Sequence, residues 1–577
     1  MASYLVRLYA LLETFARDPR PPALVMAKIS QAVLAALRSL SKSTFALRQM
    51  LKTWLIRVMT DSRPSLSSSP ASSSDAAAAA EAISPGQGGG EGKEGECKSY
   101  EEFALEIERL LGEACDPAAL IKLSEGLRRQ LKDALVADPA CMLPLFNYQL
   151  PSGKEKGTFL ALDVGGSTFR VSLVELRSLD ENGAGMRIVS QSSYKITNAI
   201  KQLEGVAFFD WMAIRIKEAL VGQTTGSQTV LSMGLSWSFP IEQTSLRSGL
   251  IQGMGKGFLA AQGLLGHDLG DVIQQACERH DLKVELKAIV NDGAATLLTK
   301  AYTDPSTRFG LILGTGVNAA VHLPVAAFGD VKFGVRPASW HAAATHVLVN
   351  TEFSMFGNGV LPLTRWDVRL NREHVRPGFQ PFEHLVSGRY LGEIARLILL
   401  EGIESAHLFD GVVPLSLRDP YTLDTELLAN IQSSPSIGQA QALFAAQHPS
   451  LTTPTSPLPS EADVRMLQRI ARGVTSRASA ILAAGIHSLW QLRIDAERQR
   501  RQRSSLEDNN DDVLLERNMI ACNGSVVQSY PGFRAACQRH LDALTQASGG
   551  PPGALQLTIA VESSLLGAAV AVACIDA

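Results

Sequence analysis

Leu160-Ala-Leu-Asp-Val-Gly-Gly-Ser-Thr-Phe-Arg170 is the stretch on which the reading of this chain turns. Phe159 to Val164 and Phe169 to Leu176 are short β-rich runs, and Gly165, Gly166 and Ser167 between them read as the turn of a hairpin. Phe309 to Leu313 and Asn318 to His322 repeat the arrangement around Gly314, Thr315 and Gly316. Two such glycine turns place backbone N–H groups where they can hold phosphate oxygens. Most hairpins, however, need a glycine for conformation alone.

Outward from these turns, strand-like and helix-like segments alternate. An amphipathic helix opens near Tyr100 with Phe103, Ile107, Leu110 and Leu111 on one face. Asp61 to Glu96 is Ser, Ala, Pro and Gly with few large apolar residues, the composition of a disordered tether. Met1 to Thr60 carries nine Lys or Arg against Glu13 and Asp18, with apolar residues at helical spacing from Ala32 to Val58. A basic amphipathic helix suits an anionic membrane, and an acid-poor leader suits a mitochondrial address. An accessory helix docked on the body fits equally. Ala496 to Asp512 turns from basic (Arg498, Arg500, Arg501, Arg503) to acidic (Glu507, Asp508, Asp511, Asp512), which reads as a solvated loop, with nuclear import or partner docking as the sharper alternative. No fixed-period repeat is visible.

With 577 residues, 46% of them hydrophobic, the chain can bury more than one core, since single cores stop growing near roughly 250 to 300 residues. A formal charge of -3 gives no global attraction to nucleic acid. No run approaches the roughly 20 apolar residues that span a bilayer. The seven cysteines form no C-x-x-C pair and read as reduced thiols of an intracellular, cytosolic protein. No metal site is indicated by their spacing.

The Leu160–Arg170 stretch resembles the first phosphate motif of hexokinases. Leu235-Ser-Trp-Ser-Phe-Pro-Ile-Glu-Gln243 with Gly253-Met-Gly-Lys-Gly-Phe258 is similar to their sugar-binding signature. Val290-Asn-Asp292, Gly314 to Asn318, Val349-Asn-Thr-Glu-Phe353 and Phe382-Glu-His-Leu-Val-Ser-Gly388 follow in the family's order. The resemblance runs from about Tyr100 to Ala577. It implies an α/β, two-lobed actin-like ATPase fold closing on sugar and ATP, with a small lobe over 97–291 and a large lobe over 292–577.

By that resemblance Ser238, Phe239, Pro240, Lys256, Asn291, Asp292, Asn318, Glu352 and Glu383 form the hexose site. Asp163, Gly165, Gly166, Ser167, Thr168, Arg170, Gly314, Thr315, Gly316, Gly524, Ser525 and Ser564 hold ATP, with Asp163 near its Mg²⁺. Asp292 is the catalytic base and Lys256 stabilises the transferring phosphoryl group. Read from the residues alone, Asp292 also suits a helix N-cap. The implied activity is ATP-dependent phosphorylation of a glucose-like hexose at its 6-hydroxyl, feeding glycolysis. The alternative is a catalytically weak sugar-binding regulator.

That alternative rests on departures from the family pattern. Thr168 replaces Asn, Asn523 replaces Asp before Gly524-Ser525, and Ser563 and Leu565 replace glycines in Val561-Glu-Ser-Ser-Leu-Leu-Gly-Ala-Ala569. Leu565 is expected to crowd the adenosine. On the sugar side Gly255 and Gly293 stand where the family has Thr.

Overall fold

The computed structural model describes residues 98–179, 185–222, 230–255, 257–449, 459–503 and 516–576. The basic extension over 1–60, the tether over 61–96 and Lys256 lie outside them. In chain order the strands are β1 (Leu143–Pro144), β2 (Gly157–Val164), β3 (Thr168–Leu176), β4 (Met186–Lys195), β5 (Leu231–Trp237), β6 (Ile241–Gln243), β7 (Gly249–Ile251), β8 (Val284–Val290), β9 (Thr307–Leu313), β10 (Val317–Pro324), β11 (His346–Asn350), β12 (Asn518–Asn523) and β13 (Leu555–Ile559). They form a five-stranded sheet ordered β4-β3-β2-β5-β8, a six-stranded sheet ordered β1-β11-β10-β9-β12-β13, and a small β6-β7 ribbon.

The two larger sheets share one plan. Each begins with an antiparallel meander, β2-β3-β4 or β9-β10-β11, and then adds two parallel strands on the other side of its first strand. Both predicted glycine turns join the first two strands of a meander. Leu160, Leu162 and Val164 are buried on one face of β2, while Phe159 and Ala161 are buried on the other. A strand buried on both faces reads as a continuous apolar run, as this one does.

Helix Ser563–Asp576 lies against the five-stranded sheet and helix Asp292–Thr303 against the six-stranded sheet, and the two pack on one another in a core with Ala161, Val174, Ala288 and Val290. Their approach is close enough that a Cβ on Gly567 would collide with the carbonyl of Ala295, so only glycine fits there. On the opposite face of the sheet, Phe208, Phe209 and Met212 from Val206–Leu220 and Ile273 from Leu269–Arg279 close a second, aromatic-rich core. The six-stranded sheet packs with the 43-residue helix Glu461–Arg503, whose buried face runs from Val464 to Glu497.

The chain crosses between these bodies more often than a single division at 291/292 allows. Helices Tyr100–Gly112 and Pro117–Ala137 share a core with the six-stranded sheet and the long helix, although they precede the five-stranded sheet in sequence. Apolar faces found their nearest large partner without regard to chain order. The arginine run also departs from expectation, because Arg498, Arg500, Arg501 and Arg503 are the last turns of the long helix and not a loop. Glu497 anchors that end by accepting from Arg500, and Arg503 donates to the carbonyl of Ala326.

Candidate active site

Strand ends place the site. In the five-stranded sheet β2, β5 and β8 are parallel, with Val164 opposite Trp237 and Ser236 opposite Val290. Gly165, Ser238 and Asn291 therefore leave the sheet at one edge, from strands about 4.8 Å apart. The N–H of Ser238 donates to the carbonyl of Val164 at 3.3 Å. In the six-stranded sheet the β9–β10 turn, the end of β11 and the end of β12 share one edge, since Val317 faces Leu313, Asn350 faces Ala320 and Asn523 faces Ile312. Helix Asp292–Thr303 links the two edges: a Cβ on Gly293 would lie 3.4 Å from the Ala320 nitrogen.

On the sugar side, Asn291 caps this helix by accepting from Ala294 N–H at 2.8 Å. The cap is thus one residue earlier than the Asp292 expected from sequence. The Asn291 Nδ2 is buried without a hydrogen-bond partner, a donor left over for an oxygen of a ligand. Asp292 opens the helix and accepts from Gly293 N–H at 2.8 Å.

Asn318 accepts from Ala319 N–H at 2.8 Å and donates through Nδ2 to Asn350 at 2.9 Å. Asn350 in turn donates to Glu352 Oε1 at 2.8 Å. This relay orients Glu352, whose backbone is held in the left-handed region at φ 52°. Burial raises the Glu352 pKa; the Asn350 bond lowers it, and the charge of Asp292 raises it further, which places the two carboxylates within electrostatic reach. Glu383 Oε2 accepts from Val317 N–H at 3.0 Å. A Cβ at Gly316 would lie 2.6 Å from that oxygen, so the turn glycine makes room for it.

Asn291, Asp292, Asn318, Glu352 and Glu383 are thus brought together, with Ser238 on the adjoining strand end. Asn350 was not picked out from the sequence as a functional side chain, although it stands inside the Val349–Phe353 motif. Phe239 belongs elsewhere. Its ring packs on Trp237 and Phe258, with centroids 5.1 and 5.0 Å away, inside the aromatic core. Pro240 is exposed, and its carbonyl accepts from Gln252 N–H at 3.3 Å.

On the phosphate side the first turn is tied by Gly165 N–H to the Thr168 carbonyl at 3.1 Å, and Ser167 accepts from Ile196 N–H. Gly166 and Ser167 lie at its tip. Arg170 is committed to two carboxylates: Nη2 donates to Asp163 at 2.7 Å and Nη1 to Glu562 at 2.6 Å. It therefore positions Asp163, where the sequence suggested a direct contact with nucleotide.

The second turn is held by helix Gly388–Ala406, whose first N–H groups donate to the carbonyls of Gly314 and Thr315 at 2.8 and 3.2 Å. Gly524 and Ser525 lie against Gly314, the Ser525 nitrogen 3.4 Å from where a Gly314 Cβ would stand. Gly524 has φ 119°, and a Cβ there would overlap the Leu313 carbonyl. Among the described residues no three Asp, Glu, His or Cys side chains are grouped to hold a metal. Asp163 stands two residues before the first turn, its carboxylate accepting from Arg170 Nε at 3.0 Å and Nη2 at 2.7 Å.

The departures at 523, 563 and 565 are structural. Leu565 is fully buried in the core between the helices and the five-stranded sheet, so it does not crowd a nucleotide. It sits in the first turn of a helix, where the side chain faces inward. Ser563, also fully buried, shares a 2.8 Å hydrogen bond with Thr296 and accepts from Asn523 Nδ2, which also donates to the Ala560 carbonyl at 3.2 Å. An ionised aspartate at 523 has no such donor, so Asn523 and Ser563 act as a matched pair. Ser564 is buried beside them.

Hexokinase family models match residues 108–302 and 308–574. Hexokinase-1 of Saccharomyces cerevisiae is 30% identical over 407 residues, covering 69% of this chain and 76% of its own length. Hexokinase-5 of Oryza sativa subsp. japonica is 30% identical over 441 residues, covering 74% of this chain and 81% of its own. The hexokinase of Schistosoma mansoni complexed with glucose superimposes with a TM-score of 0.66 at 25% identity, covering 83% of this chain and all of that one. Sheet plan, site geometry and these matches agree: the chain belongs to the hexokinase family.

Proposed function

We propose that this chain transfers the γ-phosphoryl group of ATP, with Mg²⁺, to the 6-hydroxyl of a glucose-like hexose. The observation that carries the reading is the cluster of Asp292, Glu352, Asn318 and Glu383 beside the open donor of Asn291. A hexose presents hydroxyl groups almost alone, and carboxylates with fixed amides match them. Asp292 takes the proton of the attacking hydroxyl while the two glycine turns hold phosphate oxygens. Closure over both substrates excludes the water that would otherwise accept the phosphoryl group.

The non-catalytic alternative loses its main support with Leu565 in the core. Asp292→Asn is the test: kcat in a coupled assay should fall by about 10²- to 10⁴-fold, with hexose binding by calorimetry retained. An unchanged kcat refutes the assignment of the base, and a wild-type chain that binds hexose without turnover refutes the activity. No helix among the described residues is long and apolar enough to cross a membrane. A cytosolic chain whose residues 1–60 touch a mitochondrial or other anionic membrane remains a separate proposal, tested by imaging a fusion that lacks them.

A further inference from the structure

A second polar cleft lies at the opposite end of the six-stranded sheet from the hexose edge. Arg308 stands at the start of β9, His346 at the start of β11 and Glu516 just before β12, while His322 is toward the far end of β10. The last turns of helix Glu461–Arg503 add Arg493, Glu497, Arg500 and Arg501, and these residues line a cleft of about 220 Å³.

Among the described residues that line it are four arginines and two glutamates, and one of those glutamates, Glu497, is already engaged. It accepts from His346 at 2.9 Å, Arg500 at 3.0 Å and Arg493 at 3.4 Å. Burial alone would raise its pKa, but the His346 bond and the neighbouring guanidinium charges bring it down to about 2. His322, pushed to about 3 by burial and by His346, is neutral and donates Nε2–H to the Tyr148 carbonyl at 3.2 Å.

The decisive residue is Arg493, whose side chain is only 5% exposed. Its contacts are all long: 3.4 Å to Asn518 Oδ1, 3.4 Å to Glu497 and 3.8 Å to Glu516. Its Nε has no hydrogen-bond partner. A buried guanidinium normally has close acceptors for its donors, because leaving them unmet is costly. Here a buried cation in the cleft wall has only long contacts and one donor, Nε, with no acceptor.

We propose that this cleft binds a small phosphorylated metabolite, at a site separate from those for hexose and ATP. Arginine forks match phosphate oxygens in a bidentate manner. The volume corresponds to about seven waters at roughly 30 Å³ each. It is below the roughly 300 to 1,000 Å³ of pockets that take drug-sized ligands, which suits phosphate, pyrophosphate or a small phosphate monoester and excludes a nucleoside triphosphate.

The test is calorimetric titration of the full chain with pyrophosphate, alone and then with saturating ADP to fill the nucleotide site. One binding event should persist with ADP present. The double variant Arg308→Gln, Arg501→Gln should weaken that event at least tenfold with an unchanged thermal melt, and Arg493→Gln should weaken it independently. Loss of all binding when ADP is added, or equal affinity in the double variant, overturns the proposal. A citrate arm separates phosphate from polycarboxylate chemistry: citrate binding more tightly than pyrophosphate overturns the ligand class.

Discussion

Restoring the family's glycine at position 565 should damage the protein without opening anything. Leu565 is fully buried in the core that holds helix Ser563–Asp576 against the sheet. Truncating a buried leucine to alanine costs about 2 to 5 kcal/mol, and glycine in a helix costs roughly 1 kcal/mol beyond alanine. Leu565→Gly should therefore destabilise by roughly 3 to 6 kcal/mol, a fall in thermal midpoint of at least about 5 °C. Ser563→Gly removes the partner of Thr296 and one acceptor of Asn523, while Asn523 keeps the Ala560 carbonyl. Its cost should be smaller, about 1 to 2 kcal/mol. The assay pairs thermal unfolding with nucleotide titration of the still-folded protein below its midpoint. Tighter ATP binding by Leu565→Gly with an unchanged midpoint would mean that the side chain faces the nucleotide after all, and the reasoning would fail.

Gly524→Ala should abolish turnover in the coupled assay and lower the thermal midpoint, since its Cβ would meet the Leu313 carbonyl at a φ of 119°; an active, stable variant contradicts this geometry. Gly255→Thr should be tolerated, because nothing lies within 4 Å of the new Cβ. By adding one hydroxyl contact, worth about 0.5 to 1.5 kcal/mol, it should lower the hexose Kd by up to about tenfold, and a weaker Kd refutes it. In the proposed site Glu352 accepts hexose hydroxyls as the carboxylate, and burial raises its pKa. Hexose affinity measured against pH should therefore fall on acidification, starting above the usual glutamate range, and Glu352→Gln should shift that limb. For stability the sign is opposite: a raised carboxyl contributes below its unfolded pKa, and the contribution is lost as pH rises through the folded value.

Both hairpins and the placement of Asn291, Asp292, Asn318, Glu352 and Glu383 were legible because each depends on a local signal, a glycine turn or a strand end, that the sequence carries within a few residues. Phe239 and Leu565 were misread for one reason. Whether an apolar side chain next to a motif faces the ligand or the interior is decided by packing partners far away, here Phe258 for the first and the Asp292–Thr303 helix for the second. The Arg498–Arg503 run read as a loop because charge dominates its composition, whereas Glu497 supplies the buried counter-charge that lets the helix continue. The Asn523–Ser563 pairing was invisible for want of contact information, since the two residues lie 40 positions apart.

Helix Ser563–Asp576 also sets an order of events at the ribosome. The five-stranded sheet is complete in sequence by Val290, yet the helix that covers one of its faces follows far later, and Arg170 waits 392 residues for Glu562. From the synthesis of Val290 until that of Ser563 the nascent sheet presents uncovered alanine and valine, the sort of surface that recruits chaperones or aggregates. Sugar and nucleotide thus meet a finished cleft only after synthesis has passed this helix, which makes premature termination upstream of it a source of sticky, inactive fragments.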